Sequence, residues 1–479
     1  MKIGFLPLYI KLYDDIGVNR SVLEGFYKEL TELFKDRGVE VITSDFCRIK
    51  PEFEKAVATF EKENVDAIVT WHGAYSPSLE SIEALSNTKL PVIVLDTTPA
   101  PEFTPQTAPS EIMWNHGIHG VMDMCSMLKQ KGKPYAIAAG HNIESEVIDR
   151  VCGFAKSAVA AKNLSNMKVG LFGGSFEGMG DFQVPEKELE TRFGIKVENV
   201  KDSFVASVRE TVTEQEVLEE TEKDRQNYDF DDGVIEEEYK DFVKGCLTLR
   251  KCIEKGGYNA FSVNFLNVGN VGTMPFTECC KAMARGTGYA GEGDALTSAF
   301  TGAFLSAYPE TTFVEIFCPD WKGNKVLLSH MGEMNYAITE GKPLIKRTGT
   351  TYIKGTMPYA GYAKMKAGKG VYVNISRDKD DYQMLIAQGE MLSAGDDGMT
   401  NKMRGWFKPS QSKSTAEFLE KISENGATHH STFIYGATVE EMEYFAKLLS
   451  LKTVIISSKY SCNSEDNLLI PLNIISNFS

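Results

Sequence analysis

The feature that most constrains this chain is an alternation, through its first 165 residues, of short apolar runs with longer amphipathic ones. Residues 2–9, 40–43, 67–71, 92–95 and 135–139 are apolar and β-prone, while residues 22–37, 51–63 and 144–161 carry helical periodicity, the first of these stopped by Gly38. Strands separated by helices of that length return in the same direction through right-handed crossovers, so a parallel sheet is expected. The pattern restarts at MKVGLF (167–172) and runs through a long helical stretch, 210–255, to a strand over 258–265 and a helix over 276–285. The acidic run within that stretch, between Glu219 and Glu238, reads as a solvated helix face.

From about Thr311 the texture changes. Runs at 312–317, 325–329, 370–375 and 432–434 are β-prone and separated by turns rich in Gly, Asn and Lys, and helices thin out to 415–425 and 439–451. The expected architecture is an N-terminal α/β domain (1–165), a central α/β domain (166–306), both built on Rossmann-like or flavodoxin-like parallel sheets, and a mostly-β, barrel-like C-terminal domain (307–479). A chain of 479 residues is too long for one core, which agrees.

Charge narrows the function. The net charge of −15 argues against nucleic acid, which needs a basic footprint, and against an anionic membrane surface. No run of 18 apolar residues offers a membrane span, and the start, MKIGFLPLYI, reads as a first strand rather than a signal peptide. The nine cysteines are odd in number and scattered, without a CxxC pair, so a reduced, cytoplasmic protein is expected.

Chemistry-bearing residues gather in a few loops. GLFGGSFEGMGD (170–181) follows a strand but scans neither as GxGxxG nor as a P-loop; a tight turn near a domain face is expected, and neither NAD nor ATP. Seven histidines occur, most of them at strand ends or in loops; His72 and His141 fall at the C-terminal edges of predicted parallel strands, where open α/β sheets build sites. Glu292 and Asp294 sit in the glycine-flanked GYAGEGD (288–294), His330 ends a strand, and His429 and His430 lead into another. Imidazoles with carboxylates and no cysteine suit a borderline-to-hard divalent ion such as Mn²⁺.

At these residues the chain resembles the L-arabinose isomerase / L-fucose isomerase superfamily, closer to the arabinose branch. The matching segments are TWHGAYSP (70–77), IHG (118–120), MKVGLF (167–172) with FG (193–194), GYAGEGD (288–294), SHM (329–331) with Glu333, and THHS (428–431), in the family's order over nearly the whole chain. The resemblance implies two α/β domains and a C-terminal barrel, a homotrimer or homohexamer, and Mn²⁺-assisted (or other divalent-ion) aldose–ketose isomerisation through an enediol of a pentose, hexose or deoxy-sugar. By position, Glu292 is implied as metal ligand and acid/base. One of His429 and His430 is implied as the last ligand, with His430 preferred because successive strand residues face opposite ways. His119 is implied to touch substrate, with His72, Trp71, Asn264 and His429 as further substrate-side candidates. Trp71, Tyr75 and Trp114 are plausible walls for a sugar face.

Two departures matter. Where the family carries a catalytic, metal-binding Glu after an Asn-Phe pair, this chain reads NFLN (264–267), which puts Leu266 at that position. The family's other ligand His falls near Asp320, so Asp320 and His330 are both kept as candidate ligands. A replacement carboxylate is sought at Glu278, Asp294 or Glu333. If none completes the site, the alternatives are a metal-dependent epimerase or a non-catalytic sugar-binding protein.

Overall fold

A computed structural model describes residues 1–349 and 355–457; Cys462 and the end of the expected third domain lie outside the described residues. The opening alternation folds as read. Strands β1 (Lys2–Leu8), β2 (Glu40–Thr43), β3 (Ala67–His72), β4 (Val92–Asp96) and β5 (Tyr135–Ala139) form an all-parallel sheet in the order β2-β1-β3-β4-β5. Almost every residue of β1, β3 and β4 is buried, because helices cover both faces and leave no polar side to the sheet. The helix Ser21–Asp36 covers one face with Leu23, Phe26, Tyr27, Leu30 and Phe34, a stripe at helical spacing.

A second parallel sheet, in the order β10-β9-β6-β7, is built from β6 (Lys168–Phe172), β7 (Lys196–Asn199), β9 (Ala260–Val263) and β10 (Gly288–Tyr289). The single helical stretch expected over 210–255 is instead two helices, Glu214–Asn227 and Glu236–Gly256, separated by β8 (Asp229–Phe230), and the preceding helix Asp202–Arg209 ends just before it. Thr213 starts the first of them with a capping box, and β8 leaves to pair with a strand of the C-terminal region. Nor is the acidic run wholly solvated. Glu220 and Asp224 are buried, Glu220 paired with Arg250 and both with Lys281.

The C-terminal region forms a closed six-stranded antiparallel barrel. Its strands are β11 (Thr311–Asp320), β12 (Lys325–Ser329), β15 (Gly368–Asp378), β16 (Asp381–Leu392), β17 (Gly405–Pro409) and β18 (His430–Tyr435), in the order β15-β18-β11-β12-β17-β16, with β15–β16 pairing closing the ring. Strand β19 (Lys452–Ile455) adds in parallel to β16, and β13 (Thr339–Arg347) and β14 (Tyr359–Met365) join β8 in a small separate sheet. The helix Ala295–Leu305 is buried at every position and packs against both the central sheet and the barrel. Its residues are small or apolar all round, as a helix between two layers requires. Among the described residues no helix is long and apolar enough to cross a membrane.

Candidate metal centre

The barrel and the central sheet bring their chemistry to one place. In the barrel, Glu315 on β11 lies opposite Ser329 of β12 on one side and His430 of β18 on the other, so the strands' register sets Glu315, His330 and His430 side by side at one end. Glu292 comes from the loop after β10, at the C-terminal edge of the central sheet, where parallel sheets commonly place their sites. One ligand atom each from Glu292, His330 and His430 lie within 4.8 Å of one another, and all three residues are buried.

The Glu292 loop is tightly held. Glu292 itself adopts φ +65°, a left-handed conformation that a side chain other than Gly rarely takes outside functional loops. Its carbonyl accepts from the Phe176 N–H at 2.8 Å, and Ser175 Oγ donates to the Gly293 carbonyl at 3.0 Å. Gly293 must be glycine: at φ +84° a Cβ would lie 2.3 Å from Ser175 Cα. The turn 170–181 therefore serves as the brace of this loop, and Asn264 braces that turn in its own right, with Nδ2 directed at the carbonyls of Gly173 and Ser175.

Each imidazole is oriented by its own carboxylate. His430 Nδ1–H donates to Asp294 Oδ2 at 3.0 Å, and His330 Nδ1–H donates to Glu333 Oε2 at 2.7 Å. Glu333 is fixed in turn by the Tyr289 hydroxyl at 2.7 Å and the Gly332 N–H at 2.8 Å. With Nδ1 engaged, the Nε2 atoms are the free ones, which is how metal-binding histidines are held. His430 Nε2 is buried and has no well-formed hydrogen bond among the described residues; Glu292 Oε2 stands 3.4 Å away. Phe182 stacks on the His430 ring with centroids 5.0 Å apart, and Phe313 meets both His330 and His430 edge-on.

The protonation energetics fit a cation site. Burial pushes the Glu292 carboxyl up, but contacts to His429 and His430 outweigh it and bring it down to about 2. Burial lowers His430, yet Asp294 and Glu292 raise it to about 9. The same contacts that hold a proton on the imidazole would favour a cation in its place. Two nitrogens and a carboxylate, each ionised or neutral as needed, fit a divalent ion by donor chemistry.

The histidine before His430 behaves differently from the strand alternation expected. His429 precedes the first residue of β18, so the two-residue period does not govern it, and its Nε2 also reaches to 3.6 Å from Glu292 Oε2. Asp181 grips it through both the backbone N–H (2.9 Å) and Nδ1 (2.7 Å). Asp181 and Glu292 together raise its pKa to about 10.

Other expected site residues stand elsewhere. Asp320 lies at the far end of the β11–β12 hairpin, where it caps the Gly323 N–H and faces Lys325. Five residues of strand separate it from Glu315, about 16 Å at the usual rise, so it does not join the three-residue cluster. Glu278 is completely buried, but its carboxylate is paired with Arg250, at 2.6 Å, and with Arg285. Trp71 is wholly buried between Tyr27 and Phe26, with its indole N–H donating to the Thr97 carbonyl at 3.0 Å, so it is core and not a sugar wall. His72, also buried, is driven down to about 3 by desolvation. It belongs with a second group at the edge of β3, where Tyr75 stacks on His119 with centroids 5.0 Å apart and His116 meets His119 edge-on. Trp114 is tied to Asn19 there.

Three site residues escaped the sequence reading: Glu315, Asp181 and Phe182. Glu315 had a signal, a lone carboxylate two residues after Phe313 on the same face of an otherwise apolar strand. Burial raises its carboxyl, and His330 pulls it partly back. Asp181 and Phe182 had none, since only the fold brings the 170–181 turn against β18.

The chain matches the family of L-arabinose isomerase central domains over residues 183–306 and that of L-arabinose isomerase C-terminal domains over 310–452. It is 26% identical over 427 residues to L-arabinose isomerase 1 of Bacillus licheniformis, covering 84% of this chain and 85% of that protein. It is 24% identical to L-arabinose isomerase 2 of the same organism (82% and 85% covered) and 24% identical to the L-arabinose isomerase of Flavobacterium johnsoniae (88% and 86%).

Proposed function

The chain belongs to the arabinose isomerase-like superfamily, and on that premise we propose that it is a metal-dependent aldose–ketose isomerase acting on a pentose, hexose or deoxy-sugar. The observation that carries the metal dependence is the convergence of Glu292, His330 and His430 ligand atoms within 4.8 Å. The two imidazoles, each held by a buried carboxylate, and the Glu292 carboxylate would hold a divalent ion, Mn²⁺ in our reading. Bound there, such an ion supplies Lewis acidity that makes the protons next to a sugar carbonyl easier to remove.

The chain's own residues supply the rest. Isomerisation moves one proton from C2 to C1 and another from O2 to O1, with a cis-enediol between. Glu292, held rigid in its left-handed turn, is the carboxylate placed to carry a proton between the sugar oxygens. Asp294 and Glu333 orient the imidazoles and keep their Nε2 atoms turned inward. His119, with Tyr75 beside it, is the proposed substrate contact from the N-terminal sheet, reaching the site of a neighbouring copy in a homotrimer or homohexamer.

The test is direct. Metal analysis of the purified protein is expected to give about one divalent ion per subunit, and a panel of sugars in D₂O with added Mn²⁺ should show loss of the C2 proton signal for at least one. Bound metal with no exchange across pentoses, hexoses and deoxy-sugars would end the isomerase reading.

A further inference from the structure

Glu333 is a carboxylate buried without a cationic side chain to match it. Its side chain is wholly covered, and among the described residues no Lys or Arg pairs with it. A polar group so placed needs donors around it. Three surround Glu333, and its two oxygens share them unequally. Oε2 accepts both the Gly332 N–H, at 2.8 Å, and His330 Nδ1–H, at 2.7 Å. Oε1 has a single hydrogen-bond partner among the described residues, the Tyr289 hydroxyl at 2.7 Å.

Tyr289 is itself fixed. It ends β10, three residues before Glu292, and is completely buried. Its ring meets Phe313 edge-on with centroids 5.7 Å apart and lies 5.1 Å from Phe261, so the hydroxyl has one direction to point. The main chain on either side of Glu333 is gripped as well. Cys280 Sγ donates to the Gly332 carbonyl at 3.4 Å and accepts the Met334 N–H at 3.4 Å. Hydrogen bonds to sulfur are weak, but this one comes from a rigid support. Cys280 lies on the helix Phe276–Ala284, whose Glu278 and Lys281 are held in buried ion pairs with Arg250, Glu220 and Asp224.

We infer that Tyr289 is a positioning residue of the metal centre: its hydroxyl fixes the Glu333 carboxylate, and through it the direction in which His330 Nε2 faces the ion. Cys280 steadies the same carboxylate through its main chain. This rests on the metal-dependent reading above and adds to it the group that sets how well His330 binds. Without the hydroxyl, Oε1 is left buried with no donor, which is costly for a charged group. The carboxylate is then free to turn about its own axis, and the imidazole that it holds turns with it.

The experiment uses the full-length protein stripped with EDTA, titrated calorimetrically with Mn²⁺ and, for its visible spectrum, with Co²⁺. Tyr289→Phe keeps the ring contacts and removes one oxygen. It is expected to weaken Mn²⁺ binding about 10- to 100-fold, the range for lost support of a ligand, and to shift the Co²⁺ bands. In a Glu333→Ala background the hydroxyl has nothing to hold, so the same change should alter affinity by less than about threefold. An equal loss in both backgrounds would make Tyr289 a packing residue and overturns the inference. A Tyr289→Phe protein that binds Mn²⁺ within about threefold of the parent overturns it too. Should either of these variants fold poorly, Cys280 gives a second measurement on the same carboxylate. Cys280→Ala should weaken Mn²⁺ binding several-fold, and Cys280→Ser, which keeps a donor and an acceptor, should recover most of the loss; unchanged affinity in Cys280→Ala counts against the inference. A parent protein that binds no divalent ion overturns the metal-dependent reading itself, a result distinct from an unaffected variant.

Discussion

Asp294 does two jobs with two oxygens: Oδ1 accepts the Thr297 N–H at 2.8 Å and caps the helix Ala295–Leu305, while Oδ2 accepts from His430 Nδ1 at 3.0 Å. The same side chain therefore starts the helix that joins the central sheet to the barrel and aims a candidate ligand imidazole. Asn caps helices as well as Asp does, so Asp294→Asn separates the two tasks. The variant should melt within about 1 kcal/mol of the parent but bind Mn²⁺ about 10- to 100-fold more weakly, the range found when such supporting carboxylates are removed. Calorimetric titration of the metal-stripped proteins checks this; unchanged affinity would remove Asp294 from the site.

Gly291 offers a steric test of His330. A Cβ built there would lie 2.7 Å from His330 Cε1 and 3.1 Å from Nε2, and Glu333 prevents the ring from swinging away. Gly291 has no positive φ, so the backbone itself accepts alanine. Gly291→Ala should therefore displace the candidate ligand nitrogen of His330, with roughly tenfold or greater loss of Mn²⁺ affinity and a far smaller loss of stability than Gly293→Ala. In Gly293→Ala the Cβ strikes main chain, Ser175 Cα at 2.3 Å, and the backbone at φ +84° is strained too. Thermal melts and metal titrations of the two variants should order oppositely.

Removing the metal should be felt by the whole chain. The candidate ligands come from the loop after the central sheet (Glu292) and from two barrel strands (His330, His430), so an ion bound there ties together elements that the unfolded chain keeps far apart. A ligand at 100 times its Kd stabilises the native state by about 2.7 kcal/mol. Adding Mn²⁺ to protein stripped with EDTA should raise Tm in a concentration-dependent manner, and Glu292→Gln should abolish most of that rise. A Tm that ignores Mn²⁺ in the parent would count against the three-residue centre.

The architecture was largely legible from local pattern, and the site only in part. The alternation in residues 1–165 and the texture change near Thr311 specify parallel sheets followed by a barrel, because buried parallel strands and turn-rich antiparallel ones differ in composition. Strands such as Asp381–Leu392 and Tyr359–Met365 are poorly legible, since Gly, Gln and Lys interrupt their apolar runs and strand pairing, in the barrel for the first and in the small sheet for the second, rather than local propensity stabilises them. GYAGEGD, His330 and His429–His430 stood out as chemistry-bearing segments. Asp320 misled because the resemblance put a ligand near its position, whereas the strand carries it to the hairpin turn beside Gly323 and Lys325. Glu278 misled because its partners, Arg250 and Arg285, are fixed only by tertiary packing. Glu315 was hidden by the opposite effect: its neighbours His330 and His430 are assembled by strand pairing, with 114 residues of chain between Glu315 and His430.

The contact between the N-terminal helix Val147–Leu164 and the C-terminal helix Val439–Leu448 carries a buried acid whose titration should show in stability. Glu441 Oε2 accepts from the Tyr308 hydroxyl at 2.8 Å, Gly153 leaves room for the carboxylate, and Ser157 donates to the Glu441 carbonyl at 2.8 Å. Burial raises the Glu441 carboxyl above its ordinary value; the Tyr308 hydroxyl, Lys156 and Thr438 pull it only partly back. A raised folded-state pKa means that the native protein holds this proton more tightly than the unfolded chain. Stability from this group is therefore complete below the unfolded carboxyl's pKa and is lost as pH rises through the folded one. Glu441→Gln keeps the acceptor for Tyr308 and cannot ionise. Its stability relative to the parent should climb as pH rises above the ordinary carboxyl range and level off once the folded-state carboxyl has ionised. Urea unfolding of both proteins across that range measures the difference, and a gap that stays flat, or narrows as pH rises, would show that Glu441 keeps an ordinary carboxyl pKa in the fold.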